Sequence, residues 1–521
     1  MLFVLGYYFK IVKKNFCYIT TPIYYVNDKP HLGHAYTSIA ADVISRFYKL
    51  DNYSVKFLTG TDEHGQKVEK AAKNHNMLPS DFVDLISNNF VKLSESLYLT
   101  NDDFIRTTEA RHKNAVENVW QKLEAKGLIY LKKYKGYYSL RDECYYKESE
   151  LIKNSNGEFV TSSGELVTEV EEENYFFKLS YFNDKLIEFY KDNPDFILPK
   201  SRYNEVVSFL EMGIEDISIS RTNFSWGIKV PNDEKHVIYV WIDALTNYLT
   251  AINYPNMEQE DLDFLKNSIM IIGKDILRFH AVYFIAILMA IDLPMPAKMF
   301  AHGWWTINGE KMSKSVGNVV NPFDLVDKYG LDNVRFFLFR EISFGRDGDF
   351  NESSLINKIN SELNNEYGNL VNRSMSMLYS RYKKIPNIEF DCNDDLILES
   401  DKLLDTCRLH IYNLDLYNYI ESIWQMVRKA NSYMENMAPW KIFKENETDA
   451  ILILINVLEV VKRVSILLLP VMPNVCNKIL DMLNVAVKKR NFDNYLYPFP
   501  KNHEILEPKP LFTKFEKLNI D

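Results

Sequence analysis

Cysteine is scarce in this 521-residue chain, and its five residues (Cys17, Cys144, Cys392, Cys407 and Cys476) are scattered, with no Cys-x-x-Cys spacing anywhere. That excludes a disulfide framework, indicates a reduced compartment and argues against a structural zinc site. Long apolar runs are missing too. The most hydrophobic stretch, Ile451 to Pro470, is interrupted by Asn456, Glu459, Lys462 and Arg463, which a bilayer would not easily accept, so it reads as a buried core helix. The chain start lacks the order of a secretory signal, because Lys10, Lys13 and Lys14 follow its apolar run and no small-residue cleavage site appears. It is also poor in Arg and Ser, which gives an organellar transit peptide little support and leaves an upstream start codon or an extra strand as readings of residues 1–15. Repeats and low-complexity tracts are absent. Positive charge is not in excess either: the net charge is −10, so a nucleic-acid partner must meet a local basic surface. One candidate is the stretch with Lys358, Arg373, Arg381, Lys383 and Lys384 against Glu362 and Glu366. Neither DNA nor a membrane is expected as a partner.

What is present is globular: 46% hydrophobic and 25% charged residues, in a length that implies several domains. The first segment, Phe16-Cys-Tyr-Ile-Thr, reads as a strand. It leads through Thr20-Thr-Pro-Ile-Tyr-Tyr-Val-Asn-Asp-Lys-Pro-His-Leu-Gly-His34 into a helical pattern that ends near Leu50. A helix start in that position suits an anion, and Gly33 would let a ligand ring approach the backbone. His31 and His34, three apart, fall on one face of the first turn, where they can serve as helix caps or as phosphate contacts.

A strand at Val55 to Thr59, the loop Gly60-Thr-Asp-Glu-His-Gly65 and a helix from Gln66 to Asn76 complete a βαβ unit of an open parallel sheet. From about Asn118 to Ser225 the texture changes to short strands rich in Tyr, Glu and Lys, as in an inserted α+β module; its run Glu169 to Glu173 reads as a solvated surface. The α/β pattern then resumes, with Val237 to Ile242 as a strand, Asp243 to Asn253 as a helix, and Ser268 to Asp275 as a strand leading into a helix from Ile276 to Ile291. Beyond Asn351 the pattern is helical to about Leu483, as in a bundle, and residues 501–521 read as an extended or short helical tail.

Lys311-Met-Ser-Lys-Ser315 offers two lysines and two serines to a polyphosphate, with Gly309 and Gly317 allowing the loop to close. Together with Pro30-His-Leu-Gly-His34 it resembles the paired signature of class I aminoacyl-tRNA synthetases on a Rossmann-type fold. Thr21-Pro-Ile-Tyr-Tyr-Val-Asn, Gly60-Thr-Asp-Glu-His-Gly-Gln-Lys67, Tyr239-Val-Trp-Ile-Asp-Ala-Leu-Thr-Asn-Tyr248, Ile272-Gly-Lys-Asp275 with Arg278-Phe-His280, and Ala301 to Gly309 narrow the resemblance to the methionyl-tRNA synthetase family, over nearly the whole chain.

The resemblance implies the following. ATP, carrying Mg²⁺, and L-methionine would form methionyl-adenylate, and the terminal adenosine of tRNA(Met) would accept the methionyl group. His31, His34, Lys311 and Lys314 would act on the phosphates, and Gly33, Gly273, Asp275 and Ser313 would join the lysines around ATP. Ile23, Tyr25, Asp62, Trp241, Ala244, Tyr248, Phe279 and His280 would hold methionine, with Asp62 facing the ammonium and aromatic rings suiting a flexible thioether. Asn369, Arg373 and Trp440 would hold the anticodon, the Trp by stacking. The implied organisation is an N-terminal extension (1–15), Rossmann halves (16–117 and 226–302) around a connective module (118–225), a stem-contact region (303–353), a helical anticodon-binding domain (354–500) and a tail (501–521). Many members carry zinc-binding cysteine pairs in the inserted module; here Cys144 stands alone, so the metal-free subtype is expected. No appended tRNA-binding barrel follows, so a monomer is expected, in a bacterial-type cytoplasm or an organellar matrix. The inserted module is too small for the editing domain of leucine, isoleucine or valine enzymes, which need one because a methylene gives only about 1–3 kcal/mol of discrimination. Missing thiolates disfavour the cysteine enzyme, and the alternative of another class is a tRNA-binding paralogue without catalysis.

Overall fold

The computed structural model describes residues 15–26, 29–139, 144–146, 148–154, 156–161, 164–312, 317–388 and 392–516. Residues 1–14 and, from the lysine-serine loop, Ser313, Lys314 and Ser315 lie outside that set.

Strands β1 (Phe16–Thr20), β2 (Tyr24–Tyr25), β3 (Ser54–Asp62), β4 (Asp103–Arg106), β5 (Ile197–Leu198), β6 (Ser268–Gly273) and β7 (Lys298–His302) make one sheet of parallel pairs. Its order is β5-β7-β6-β1-β3-β4, and β2 continues the β1 edge along the end of β3. The inner strands are apolar and buried on both faces, as a parallel sheet between helices requires. Gly60 in β3 is obligatory, since a Cβ there would lie 2.0 Å from the Ile105 carbonyl oxygen on β4.

The helices that position the site are α1 (Leu32–Leu50), α2 (Ala110–Ala125), α3 (Val240–Thr250), α4 (Leu331–Arg340), α5 (Asn369–Tyr382), α6 (Leu416–Met437), α7 (Pro439–Ile442) and α8 (Glu447–Leu468). As expected from its composition, α8 is a core helix: Leu454, Val457, Leu458, Val461 and Leu468 are fully buried, each contributing about 1.5–3 kcal/mol. Its charges are answered inside the protein. Lys462 donates to Glu459 and to the Tyr497 carbonyl, and Arg463 donates to Ser400 and to the Ile397 carbonyl.

Three expectations are corrected. The strand expected at Val237 to Ile242 ends at Ile238, belongs to a separate antiparallel sheet with Ser220–Arg221 and Lys229–Val230, and gives way to α3 at Val240. Six consecutive apolar residues carry no period that separates strand from buried helix, and Asp243 in the first turn favours the helix. Trp241 and Tyr248 therefore lie on one helix instead of across a junction. Second, residue 118 falls inside α2, and β5 brings residues 197–198 of the inserted stretch back to the main sheet. What departs from that sheet is a four-stranded antiparallel sheet of Ile129–Ser139, Cys144–Tyr146, Val167–Phe177 and Ile217–Ser218. In it the acidic run faces lysines, with Glu173 opposite Lys133 and Glu171 opposite Lys135. Third, the helix expected from Ile276 to Ile291 is composite: a 3₁₀ turn at Lys274–Ile276, a π-helical turn at Phe279–Phe284 and an α-helix at Ile285–Ala290.

Arg335 of α4 joins the two halves. It is wholly buried with Asp42 of α1, donating to the Asp42 carboxylate at 2.6 Å and to the carbonyls of Leu97, Pro470 and Val471. Burial alone would raise the Asp42 carboxyl; Arg335 and Arg46 outweigh it and hold the group below its ordinary value. The tail is extended. His503–Glu504 pairs with Lys384–Ile385, and the amide of Asn360 bonds both the N–H and the C=O of Phe515. Among the described residues no helix is long and apolar enough to cross a membrane.

Candidate active site

The carboxyl ends of β3, β6 and β7 and the start of α1 converge, the place where an open parallel sheet presents its ligands. At α1 the two histidines do cap the helix. Nδ1 of His31 accepts from the Gly33 N–H at 3.0 Å, Nδ1 of His34 accepts from the His31 N–H at 3.1 Å, and the rings stack 3.9 Å apart. With Nδ1 accepting, each neutral ring carries its proton on Nε2, so each is a donor of the kind a phosphate oxygen takes. Capping and phosphate contact are thus compatible uses of one geometry. The ring that Gly33 admits is that of His31, whose Cε1 would lie 2.9 Å from an added Cβ.

Two further contacts bind this helix start to the rest of the site. Thr37 bridges the Gly33 carbonyl, at 3.1 Å, and Nε2 of buried His302, at 2.8 Å; His302 stands at the end of β7, opposite Gly273 of β6. The Leu32 N–H donates to the Val320 carbonyl at 3.1 Å, which brings the exit of the lysine-serine loop to the same point. Lys311 ends the short strand Glu310–Lys311 paired with Trp305–Ile307. Asp349 fastens that hairpin by accepting from Thr306 and from the Gly309 N–H. Asp275 is exposed beside Gly273, where a Cβ would meet its Oδ1 at 2.7 Å, and it accepts from the Trp304 indole at 3.2 Å.

The expected amino-acid pocket is assembled from three segments. Trp241 stacks on Phe279 at 3.7 Å with an interplanar angle of 4°, and meets His280 edge-on at 6.2 Å. Buried His280 donates from Nδ1 to the Ile276 carbonyl at 2.9 Å and accepts the Tyr248 hydroxyl at Nε2 at 2.8 Å. Burial pushes its pKa down to about 4, so the ring is neutral near pH 7. Nε2 is engaged by Tyr248 and the ring carries no charge, which suits an apolar side chain. Ala244 lies one turn along α3, and Ile23 and Tyr25 pack on the same core. Tyr25 is paired in register with buried Asp62, so the end of β3 brings a carboxylate beside β2.

Several residues of this site are not apparent from sequence. Asp243 accepts from His64 Nδ1 at 2.7 Å and from His112 Nε2 at 2.8 Å, all three buried. Burial opposes the Asp243 charge, but the two histidines outweigh it and hold its carboxyl at about 2. Glu63, buried, receives Arg106 at 2.6 Å along with Thr61 and Thr108. No short-range signal marks these partners, which lie up to 179 positions apart.

In the helical half, Asn369 and Arg373 share α5, and Arg373 reaches the ring of Trp440 on α7 at 5.3 Å while pairing with Glu435 at 2.6 Å. Of the expected basic surface, Arg373 and Lys358 are answered by acids, Lys358 being set between Glu341 and Glu362, while Arg381 lies over the ring of Phe443. Among the described residues no group of three or more His, Cys, Asp or Glu is arranged to hold a metal. A cavity of about 640 Å³ lined by Lys56, Arg111, Asn253 and Asp261 lies beside the start of β3 and includes none of the expected site residues.

A family model described as "tRNA synthetases class I (M)" matches residues 17–375, and one described as "Anticodon binding domain of methionyl tRNA ligase" matches residues 391–520. Asn369 and Arg373 fall within the first match. The methionine–tRNA ligase of Rickettsia conorii is 48% identical over 510 residues, covering 96% of this chain and all of that protein. That of Brucella suis is 45% identical over 502 residues, covering 96% and 98%. Among solved structures, a Mycobacterium tuberculosis methionyl-tRNA synthetase in complex with methionyl-adenylate superposes with a TM-score of 0.92 at 42% identity, covering 96% of this chain and 99% of the other. The free form of the Mycobacterium tuberculosis enzyme gives 0.87 at 38% identity, covering 96% and 99%.

Proposed function

The chain belongs to the methionine–tRNA ligases of the class I tRNA synthetases, and from that premise we propose how its residues activate L-methionine with ATP and pass it to tRNA(Met). The observation that supports the reading is the aromatic group of Trp241, Phe279, Tyr248 and neutral His280, to which we assign the methionine side chain, with buried Asp62, in register with Tyr25, assigned to its ammonium. A zwitterionic amino acid with an unbranched thioether matches it, ammonium to the Asp62 carboxylate and sulfur among the rings. Ile23 and Ala244 would close the slot.

Adenylate formation needs alignment of the methionine carboxylate with the α-phosphate and neutralisation of the leaving pyrophosphate, with no protein nucleophile. The Nε2–H donors of His31 and His34 and the lysines Lys311 and Lys314 are assigned to the phosphates. Gly33, Gly273 and Ser313 are assigned to the nucleotide, and Asp275 to its ribose. Mg²⁺ would arrive with ATP as part of that substrate. On the helical half Asn369, Arg373 and Trp440 are assigned to the anticodon, and residues 303–353 to the tRNA stem. We place the enzyme in a bacterial-type cytoplasm, as a zinc-free monomer.

The deciding experiment is methionine-dependent exchange of pyrophosphate into ATP, followed by charging of tRNA(Met). Exchange driven by leucine, or tRNA binding with no exchange, would overturn the reading. Lys314→Ala should slow exchange by on the order of a hundredfold or more while leaving the methionine Kd within about threefold; equal losses would remove Lys314 from its assigned role.

A further inference from the structure

Helix α3 has two working faces. At about 100° per residue, Trp241 and Tyr248 fall within roughly 20° of each other, while Asp243 and Thr250 share a face about 140–180° away. The first face lines the amino-acid slot. The second is fastened: Asp243 takes the N–H groups of His64 and His112, and Thr250 bonds the other nitrogen of His112 at 3.0 Å. His64 lies two residues after Asp62, at the end of β3. Its carbonyl receives the Tyr25 hydroxyl at 2.9 Å, and Glu63 between them is pinned by Arg106.

Resting on the reading of Asp62 and the slot given above, we propose that Asp243 is a positioning residue for amino-acid selection. Through His64 it sets the distance between the Asp62 carboxylate and the slot on the opposite face of α3. The two ends of the substrate are recognised by different segments, the ammonium at the end of β3 and the side chain on α3, and the Asp243–His64 bond joins those segments beside Asp62. A buried charge-assisted bond holds that separation more tightly than apolar packing, because its strength falls steeply with distance and angle. An ionised carboxylate only accepts, so it imposes a proton on His64 Nδ1 and on His112 Nε2, and leaves His112 Nδ1 to accept the Thr250 hydroxyl.

The tautomers give a conservative variant. In Asp243→Asn the amide can donate to His112 and still accept from His64, provided His112 moves its proton to Nδ1 and donates to Thr250. That hydroxyl already lies 3.1 Å from the Thr246 carbonyl, to which it can donate in turn. Asp243→Asn should therefore keep the methionine Kd, measured by calorimetry, within about threefold, whereas Asp243→Ala should raise it by on the order of tenfold or more. The ATP Kd should not move. Discrimination against homocysteine and ethionine, one methylene shorter and longer, should fall in Asp243→Ala and persist in Asp243→Asn. His64→Ala and His64→Asn, the second able to donate to Asp243, should repeat the pattern and serve in its place if Asp243→Ala does not fold. A loss confined to the fraction of active sites, with unchanged methionine Kd and unchanged discrimination among the sites that remain, would overturn the proposal and leave Asp243 a structural residue. Equal weakening of ATP and methionine would do the same. Asp62→Asn separates the two levels: if it leaves the methionine Kd unchanged, the reading of the slot fails; if it weakens methionine while Asp243→Ala and His64→Ala do not, only the positioning role fails.

Discussion

The two regions assigned to recognition, the surroundings of the amino-acid slot and the Arg373–Trp440 surface, handle charge in opposite ways. The charged groups that brace α1 and α3 are sunk and saturated: Arg335 and Asp42 are both 0% exposed, and Asp243 lies wholly buried between two histidines. In the helical half the guanidinium of Arg373 is 36% exposed and its partner Glu435 58%. A small amino acid must be measured against groups that do not move, so their charges are fixed by burial. A long polyanion must be admitted to a surface, and the arginine assigned to it is held only by a partner it can exchange at little cost.

The largest test of this contrast is Arg335→Met. Removing Arg335 leaves buried Asp42 with Arg46 as its one cation among the described residues and takes the donor from the carbonyls of Leu97, Pro470 and Val471, and it should cost roughly 3–5 kcal/mol of stability in denaturant unfolding. A loss below about 1 kcal/mol would put the Arg335–Asp42 pair in the same class as the surface pair.

Next in size is the pH dependence from His280. Its folded pKa lies near 4 against an ordinary value of 6.5, so the unfolded chain takes up its proton first as the solution is acidified. Stability from this group is complete above about pH 6.5 and is lost progressively as pH falls toward 4, by roughly 3 kcal/mol in all. His280→Leu should flatten that part of the profile; an unchanged slope between pH 6.5 and 4.5 would show that His280 is not held neutral. The smallest effect on the fold is expected from Glu435→Gln, under about 1 kcal/mol. It should nevertheless tighten tRNA(Met) binding a few-fold, on the order of the worth of one freed surface arginine, and steepen its salt dependence. Weaker binding would mean that Glu435 orients Arg373 for the tRNA and does not merely hold it in reserve.

Much of the fold was legible in the sequence where local pattern and burial agree. Phe16–Thr20 reads as the strand it is, and the strand read at Ser268 to Asp275 forms as far as Gly273, where a 3₁₀ turn begins. The interrupted apolar stretch after residue 450 reads as the core helix it forms, because buried and paired charges are what a protein interior tolerates and a bilayer does not. Legibility failed at Val237 to Ile242, where uniform apolarity erases the period. It failed also at Ile197–Leu198, where a two-residue edge strand is too short to have one.

By itself the sequence determined that an open α/β sheet would place a His-Leu-Gly-His helix start near residue 34 and a lysine-serine loop near residue 311, and that a helical half would follow. These are properties of segments a few residues to a few turns long, in which spacing and composition carry the physics. Only the tertiary structure decided that Trp241 and Tyr248 share one helix face, that His302 and Thr37 tie the ends of the sheet to that helix start, and that Asp243 closes the contact between His64 and His112. Those partners are separated by as many as 265 positions. A hydrogen bond depends on a few ångströms of space, and separation along the chain does not encode that distance.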